Sequence, residues 1–461
     1  MEAAKIEIIS RELIKPSTPT PDEQKELKFS FLDQLQGHAF MPLLLFYQPP
    51  QLFDSKDAKV VDPSEATRHL KQSLSESLTK FYPLAGRLNP DDHHLSVDCD
   101  DSGALFMEAK VDSSLSEAVQ NTSMESFAQY LPFDPFSNQV NLLGAYPIDE
   151  ILLGVQITWF GCGGSAIGVC LSHKVADLMS LITFMDSWAA INRGDGSSSK
   201  SKPINFDAGR HLFPALEFPI PQNRADWKEK YVYKKFLFNK EKIAELKELA
   251  ICASSSLKDP TRVEVISAFI WKHFINMGRA QRQDGDNKTM FQMWNSMNLR
   301  TRISNLASSS LNDEFPFGNL SIVATASFIH DEDTKKTDYG NLVRIVSDSM
   351  RKVNEDYVFN CAVPSLKLSA AGVAGLEEMQ KPTMKISVRV ITSWCRFPIY
   401  EVDFGWGKPV SAGPAFGKPP GPVVLLLDTR CDDGIEALIV MLERELAILP
   451  NEFLSLATNF F

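Results

Sequence analysis

The stretch from Ile151 to His173 most narrows what this chain can fold into. ILLGVQITWF is apolar and rich in β-favouring residues, GCGG at 161–164 reads as a turn, and SAIGVCLSH reads as a second strand. After Lys174 the pattern changes. VADLMSLITFMDSWAAI carries Ala176, Met179, Leu181, Ile182 and Phe184 at the spacings of a mostly buried helix. A strand therefore hands over to a helix at His173, where a rigid scaffold can hold a reactive side chain.

The remaining pattern alternates strands and helices, which predicts α/β layers. Asp62 and Pro63 mark a helix start, with Leu70, Leu74 and Leu78 on one face. The segment RGDGSSSKSKP at 193–203 is polar and rich in Gly and Ser, and reads as a linker. Beyond it come a strand over 231–238, a helix capped by Asn239, a buried helix over 263–275 and strands over 385–394 and 421–428. Residues 433–447, DGIEALIVMLERELA, read as an amphipathic helix.

With 461 residues the chain can bury a large core, and three domains or two larger ones fit its length equally well. Its net charge of −11 and lack of a basic block give no footing for nucleic acid, and argue against docking on anionic membranes. No signal peptide or transmembrane run is legible. The seven cysteines include no CxxC pair, so neither a disulfide framework nor a metal site is expected. These features point to the cytoplasm, where the sequons at Asn121, Asn287 and Asn319 carry no meaning. Without a coiled-coil signal, a monomer is expected.

Among the motifs, His173 and Asp177 in HKVAD bear most directly on chemistry. A histidine is suited to taking a proton near neutral pH, and a carboxylate four residues on can orient it or brace the loop; on spacing alone, a surface histidine near a helix start is the alternative. GCGGSA at 161–166 matches a dinucleotide fingerprint, but a β-like run follows where a helix is needed. Asp403-Phe404-Gly405 lacks the upstream loops of a kinase. His93-His94 follow two aspartates in a polar turn and read as a solvated loop. Asp403-Phe404-Gly405-Trp406-Gly407 has two glycines flanking a tryptophan, which suits a sharp, tightly packed turn.

HKVAD at 173–177 and DFGWG at 403–407 together resemble the BAHD plant acyltransferase family, in its alkaloid-acetylating branch. YPLAGRL (82–88), NLR in NLRTR (298–302), FGN (317–319) and TSWCRFPIYEVDFGWG (392–407) agree. The resemblance implies two chloramphenicol-acetyltransferase-like α/β domains, 1–192 and 216–461, joined by a crossover loop at 193–215. An active-site tunnel would lie between them.

It also implies an acyl-CoA-dependent O-acyltransferase, with acetyl-CoA as co-substrate, no permanent cofactor and a small-molecule alcohol such as an alkaloid as acceptor. His173 would be the general base and no acyl-enzyme would form, leaving Cys162 and Cys170 as buried packing residues. Thr392 and Trp394 would either donate to the oxyanion or simply pack. Asp177 would turn toward Arg300 of the NLR motif, beside Asn298. Thr261 and Arg262 would lie along the CoA, and Asp403, Gly405 and Trp406 would shape the interface on the CoA side. Another acyl-CoA, an amine, terpenoid or phenolic acceptor, or an idle CoA-binding relative are the alternatives.

Overall fold

The computed structural model describes residues 6–49, 62–93, 95–120, 124–136, 142–143, 146–147, 151–195, 202–217, 220, 229–253, 257–280, 289–304, 314–330, 338–367, 385–417 and 421–458. His94, Asn121, Asn287 and residues 196–201 of the expected linker lie outside them.

Two large mixed sheets organise the chain. The first has six strands in the order Glu7–Ile14, Ala104–Val111, Leu153–Phe160, Ser165–Ser172, Phe40–Tyr47 and Ser411–Gly413. Leu153–Phe160 and Ser165–Ser172 form the expected antiparallel hairpin, whose turn uses Gly163 at φ 85°. Every residue of both strands is buried, which explains their unbroken apolar run. At Gly168 an added Cβ would sit 2.0 Å from the Tyr130 carbonyl oxygen, so that glycine admits the chain's own backbone. The short strand Ser411–Gly413 comes from the second half of the sequence and closes one edge of this sheet.

The second sheet has seven strands in the order Ser321–His330, Thr289–Asn298, Lys385–Ser393, Val423–Asp428, Ile435–Leu442, Tyr231–Phe238 and Ala457–Thr458. Ile435–Leu442 corrects the helix expected over 433–447: it is a central antiparallel strand, and only Glu443–Leu446 is helical. Its Ile435, Ala437, Ile439 and Met441 join the core behind the sheet, while Leu438 and Val440 join the core in front. Apolar side chains are needed on both faces, so the alternation that marks a half-buried strand is absent.

Helices cover these sheets. Pro63–Lys80 begins with the Asp62 carboxylate accepting from the Ser64 N–H at 3.1 Å, and buries Leu70, Leu74 and Leu78. Leu178–Asn192 lies in the same core. Behind the second sheet pack Lys240–Ala253, Arg262–Ala280 and Tyr339–Arg351. Among the described residues, no helix is long and apolar enough to cross a membrane.

Candidate active site

A cavity of about 850 Å³ opens where elements of the two sheets meet. Phe40, Met41 and His173 line it from the first half, and Trp294, Thr392 and Trp394 from the second. Its size suits a drug-sized ligand.

His173 follows the last residue of Ser165–Ser172, and its backbone N–H donates to the Ala39 carbonyl at 2.8 Å. The side chain is half-buried, with Nδ1 3.1 Å from Asn319 Oδ1. Among the described residues Nε2 has no hydrogen-bond partner. Asn319 is buried, and its Nδ2 donates to Asp33 Oδ1 and to the His173 carbonyl, both at 2.8 Å.

Asp177 caps the helix Leu178–Asn192, its Oδ1 accepting from the Ser180 N–H at 3.0 Å. It also forms a buried, two-pronged ion pair with Arg300, at 2.7 Å (Oδ2–Nη1) and 3.1 Å (Oδ1–Nη2). Leu320 donates its N–H to Oδ2 at 3.0 Å. Burial by itself would raise this carboxyl. Arg300 and the two backbone donors outweigh it and hold Asp177 below the ordinary carboxylate value. Arg300 further donates to the carbonyls of Pro316 and Gly318 at 3.0 and 3.1 Å, and Asn298 Oδ1 accepts from its backbone N–H at 3.1 Å. These bonds tie the loop 315–320 to the start of the helix, and those within the Asp177–Arg300 pair are buried, where each is electrostatically stronger than it would be in water.

Thr392 and Trp394 both line the cavity. Neither the Thr392 hydroxyl nor the Trp394 indole N–H has a partner among the described residues, so both remain available as donors.

The other expected site residues lie elsewhere. Thr261 is exposed and forms a reciprocal cap with Glu264. The Arg262 guanidinium pairs with Asp428 at 3.0 Å and Asp432 at 3.1 Å. Neither residue is in the cavity lining. Asp403 Oδ1 accepts from the N–H groups of Gly405 and Gly407 at 2.7 and 2.9 Å, folding DFGWG into a tight turn with both glycines at positive φ. Trp406 packs edge-on against Tyr47 at 5.9 Å and meets Trp159 at 5.7 Å. Asn192 and Arg193, at the far end of the helix Leu178–Asn192, donate to the carbonyls of Phe404 and Asp403.

Sequence reasoning passed over two buried residues. Asn319 drew notice as a sequon and as part of FGN, not as a partner of His173. Asp33 left no signal beyond the Ser-x-x-Asp spacing of its capping box with Ser30. Cys170 is buried and outside the cavity lining, and burial pushes its thiol well above its ordinary value, whereas Cys162, expected to be buried, is exposed in the hairpin turn and also outside the lining.

Comparison with known proteins agrees with this architecture. The family model described as the Transferase family matches residues 4–456. Stemmadenine O-acetyltransferase of Catharanthus roseus is 39% identical over 462 residues, covering 100% of this chain and 99% of that one. Vinorine synthase of Rauvolfia serpentina is 40% identical, with 100% and 99% covered. The crystal structure of vinorine synthase superposes with a TM-score of 0.78 at 37% identity, covering 99% of each chain. F. sporotrichioides TRI101, complexed with coenzyme A and T-2, shares the fold at a TM-score of 0.65 and 16% identity, covering 95% of this chain and 100% of that one. With a family model spanning nearly its whole length and relatives aligned from end to end, the chain belongs to the Transferase family, the BAHD acyltransferases.

Proposed function

We propose that this acyltransferase moves an acetyl group from acetyl-CoA to a hydroxyl of an alkaloid-like acceptor, with His173 as general base. The observation that carries this reading is the placement of His173. Its ring lines a cavity bordered by both sheets, and Nδ1 alone is engaged. Nε2 is thus free to accept the acceptor's hydroxyl proton as that oxygen attacks the thioester carbonyl. The tetrahedral oxyanion would be met by the indole N–H of Trp394, the hydroxyl of Thr392, or both. On collapse the C–S bond breaks, and the CoA thiolate takes a proton from the imidazolium. The buried Cys170 gives no support to an acyl-enzyme route.

The lean to acetyl and to alkaloids comes from the two relatives at 39 and 40% identity, one of which is a stemmadenine O-acetyltransferase. In this reading the tunnel runs between domains 1–192 and 216–461, Asp177 acts through Arg300 by fixing the loop that carries His173, and DFGWG acts through packing. Incubation with acetyl-CoA and a panel of hydroxylated alkaloids, terpenoids and phenolic alcohols tests it, with products followed by mass spectrometry. Acetylation of an alkaloid alcohol is expected. Transfer only from another acyl-CoA, or only to amines, would redirect the reading.

A further inference from the structure

We propose that Asp33 and Asn319 are positioning residues that hold His173 in a single tautomer, with hydrogen on Nδ1 and the Nε2 lone pair turned to the cavity. This rests on the reading of His173 as the base.

The Asn319 amide fixes the tautomer. Its Nδ2 sits among three oxygens: Asp33 Oδ1 at 2.8 Å, the His173 carbonyl at 2.8 Å and the Lys174 carbonyl at 3.4 Å. The two carbonyls only accept, and Asp33 Oδ1 already accepts from the Asn319 backbone N–H, so rotating the amide would put its oxygen against acceptors in a buried site. The amide therefore has one orientation, with Oδ1 directed at His173 Nδ1 at 3.1 Å. An amide oxygen only accepts, so Nδ1 must carry hydrogen. In the neutral ring Nε2 is then the unprotonated nitrogen. When His173 takes up a proton, the bond to Asn319 persists and the ring need not turn.

Asp33 is the anchor of this arrangement. It is buried on the short helix Phe31–Gln34. Oδ1 accepts from both the side chain and the backbone N–H of Asn319, the latter at 3.0 Å. Oδ2 accepts from the N–H and hydroxyl of Ser30 at 2.9 and 2.6 Å. Because Oδ1 accepts whether or not Oδ2 is protonated, the lock does not depend on the charge of Asp33. The charged groups around His173 and Asn319 are Asp33, Lys174 next to His173 in the chain, and the mutually neutralising Asp177–Arg300 pair.

The test reads tautomer and turnover separately. Histidine-selective 15N NMR of the intact protein, with His173 assigned from the His173→Gln difference spectrum, is expected to show hydrogen on Nδ1 at pH above its titration. An Nε2–H tautomer would overturn the proposal without any variant of the lock having to fold. Asn319→Ala and Asp33→Ala should each lower kcat by about 10–100-fold while both substrate KM values stay within about 2-fold. Losing a donor-to-acceptor bond that favours the imidazolium should also shift the acid limb of kcat/KM down by about 0.5–1 pH unit in Asn319→Ala. Asp33→Asn, which keeps an acceptor oxygen, should recover part of the activity that Asp33→Ala loses. Wild-type kcat and pH profile in the folded Ala variants would refute the lock. Full activity of His173→Ala would instead refute the base reading on which it stands.

Discussion

HKVAD and DFGWG sit at opposite ends of one helix. Asp177 caps the start of Leu178–Asn192, and Asn192 and Arg193 at its finish clasp the Asp403–Phe404 backbone. A 15-residue helix is about 22 Å long, so the two motifs are held apart by a rigid strut. At one end the interactions are charged and desolvated, centred on Asp177 and Arg300. At the other they are aromatic, with Phe404 packed on Trp188 at 4.8 Å and Trp406 against Tyr47 and Trp159. Only the first end reaches the cavity. Two motifs equally conspicuous in the sequence thus sit in different surroundings, one at the cavity and the other packed away from it.

The sharpest way to break this contrast is to remove Asp177. Asp177→Ala leaves Arg300 buried without its partner, and is expected to cost about 3–5 kcal/mol in denaturant unfolding, with activity lost alongside. The same pair sets an acid limit. The Asp177 pKa is lower in the fold than in the unfolded chain, so its contribution is complete at neutral pH and above the ordinary carboxylate range. It is lost as pH falls through and below that range, near pH 4. Asp177→Asn should flatten that part of the stability–pH curve.

At the other end, Asp403→Ala leaves the exposed Gly405 N–H to water and the partly buried Gly407 N–H without its acceptor, and should cost about 1 kcal/mol. In folded protein kcat should change less than about 3-fold, since no reacting group moves; a collapse of kcat without loss of stability would erase the distinction between the two ends.

The smallest effect is expected at His273, which lies between Phe269 and Phe453 at 4.6 and 5.0 Å, with neither ring nitrogen partnered among the described residues. Burial lowers it to about 4, so the unfolded chain binds its proton first and stability falls as pH drops from about 6.5 toward 4. His273→Phe should remove that slope, a change of a few °C in Tm at pH 5.

The sequence made the hairpin before His173 and the helix after it legible because a turn with Gly163 separates two unbroken β-rich runs, and Asp177 stands at a cap position. It concealed the strand Ile435–Leu442, since burial on both faces erases the period of two. Arg300 came into view through the family's NLR pattern, not through spacing. Asn319 and Asp33 were hidden for a different reason. They lie 146 and 140 positions from His173 in sequence, and no local pattern links residues that only the packed fold brings together. Thr261 and Arg262 show the converse, for the carboxylates of Asp428 and Asp432 that engage Arg262 could not be foreseen.

The proposed chemistry turns on Nε2 of His173. The direct measurement is the single-turnover rate of CoA thiol release, with an acceptor that the wild type acetylates, compared between wild type and His173→Ala, with acetyl-CoA binding followed by calorimetry. If His173 is the base, its loss lowers the rate by about 10²–10⁴-fold, with acetyl-CoA affinity and folding retained. Equal rates in the two proteins would contradict it.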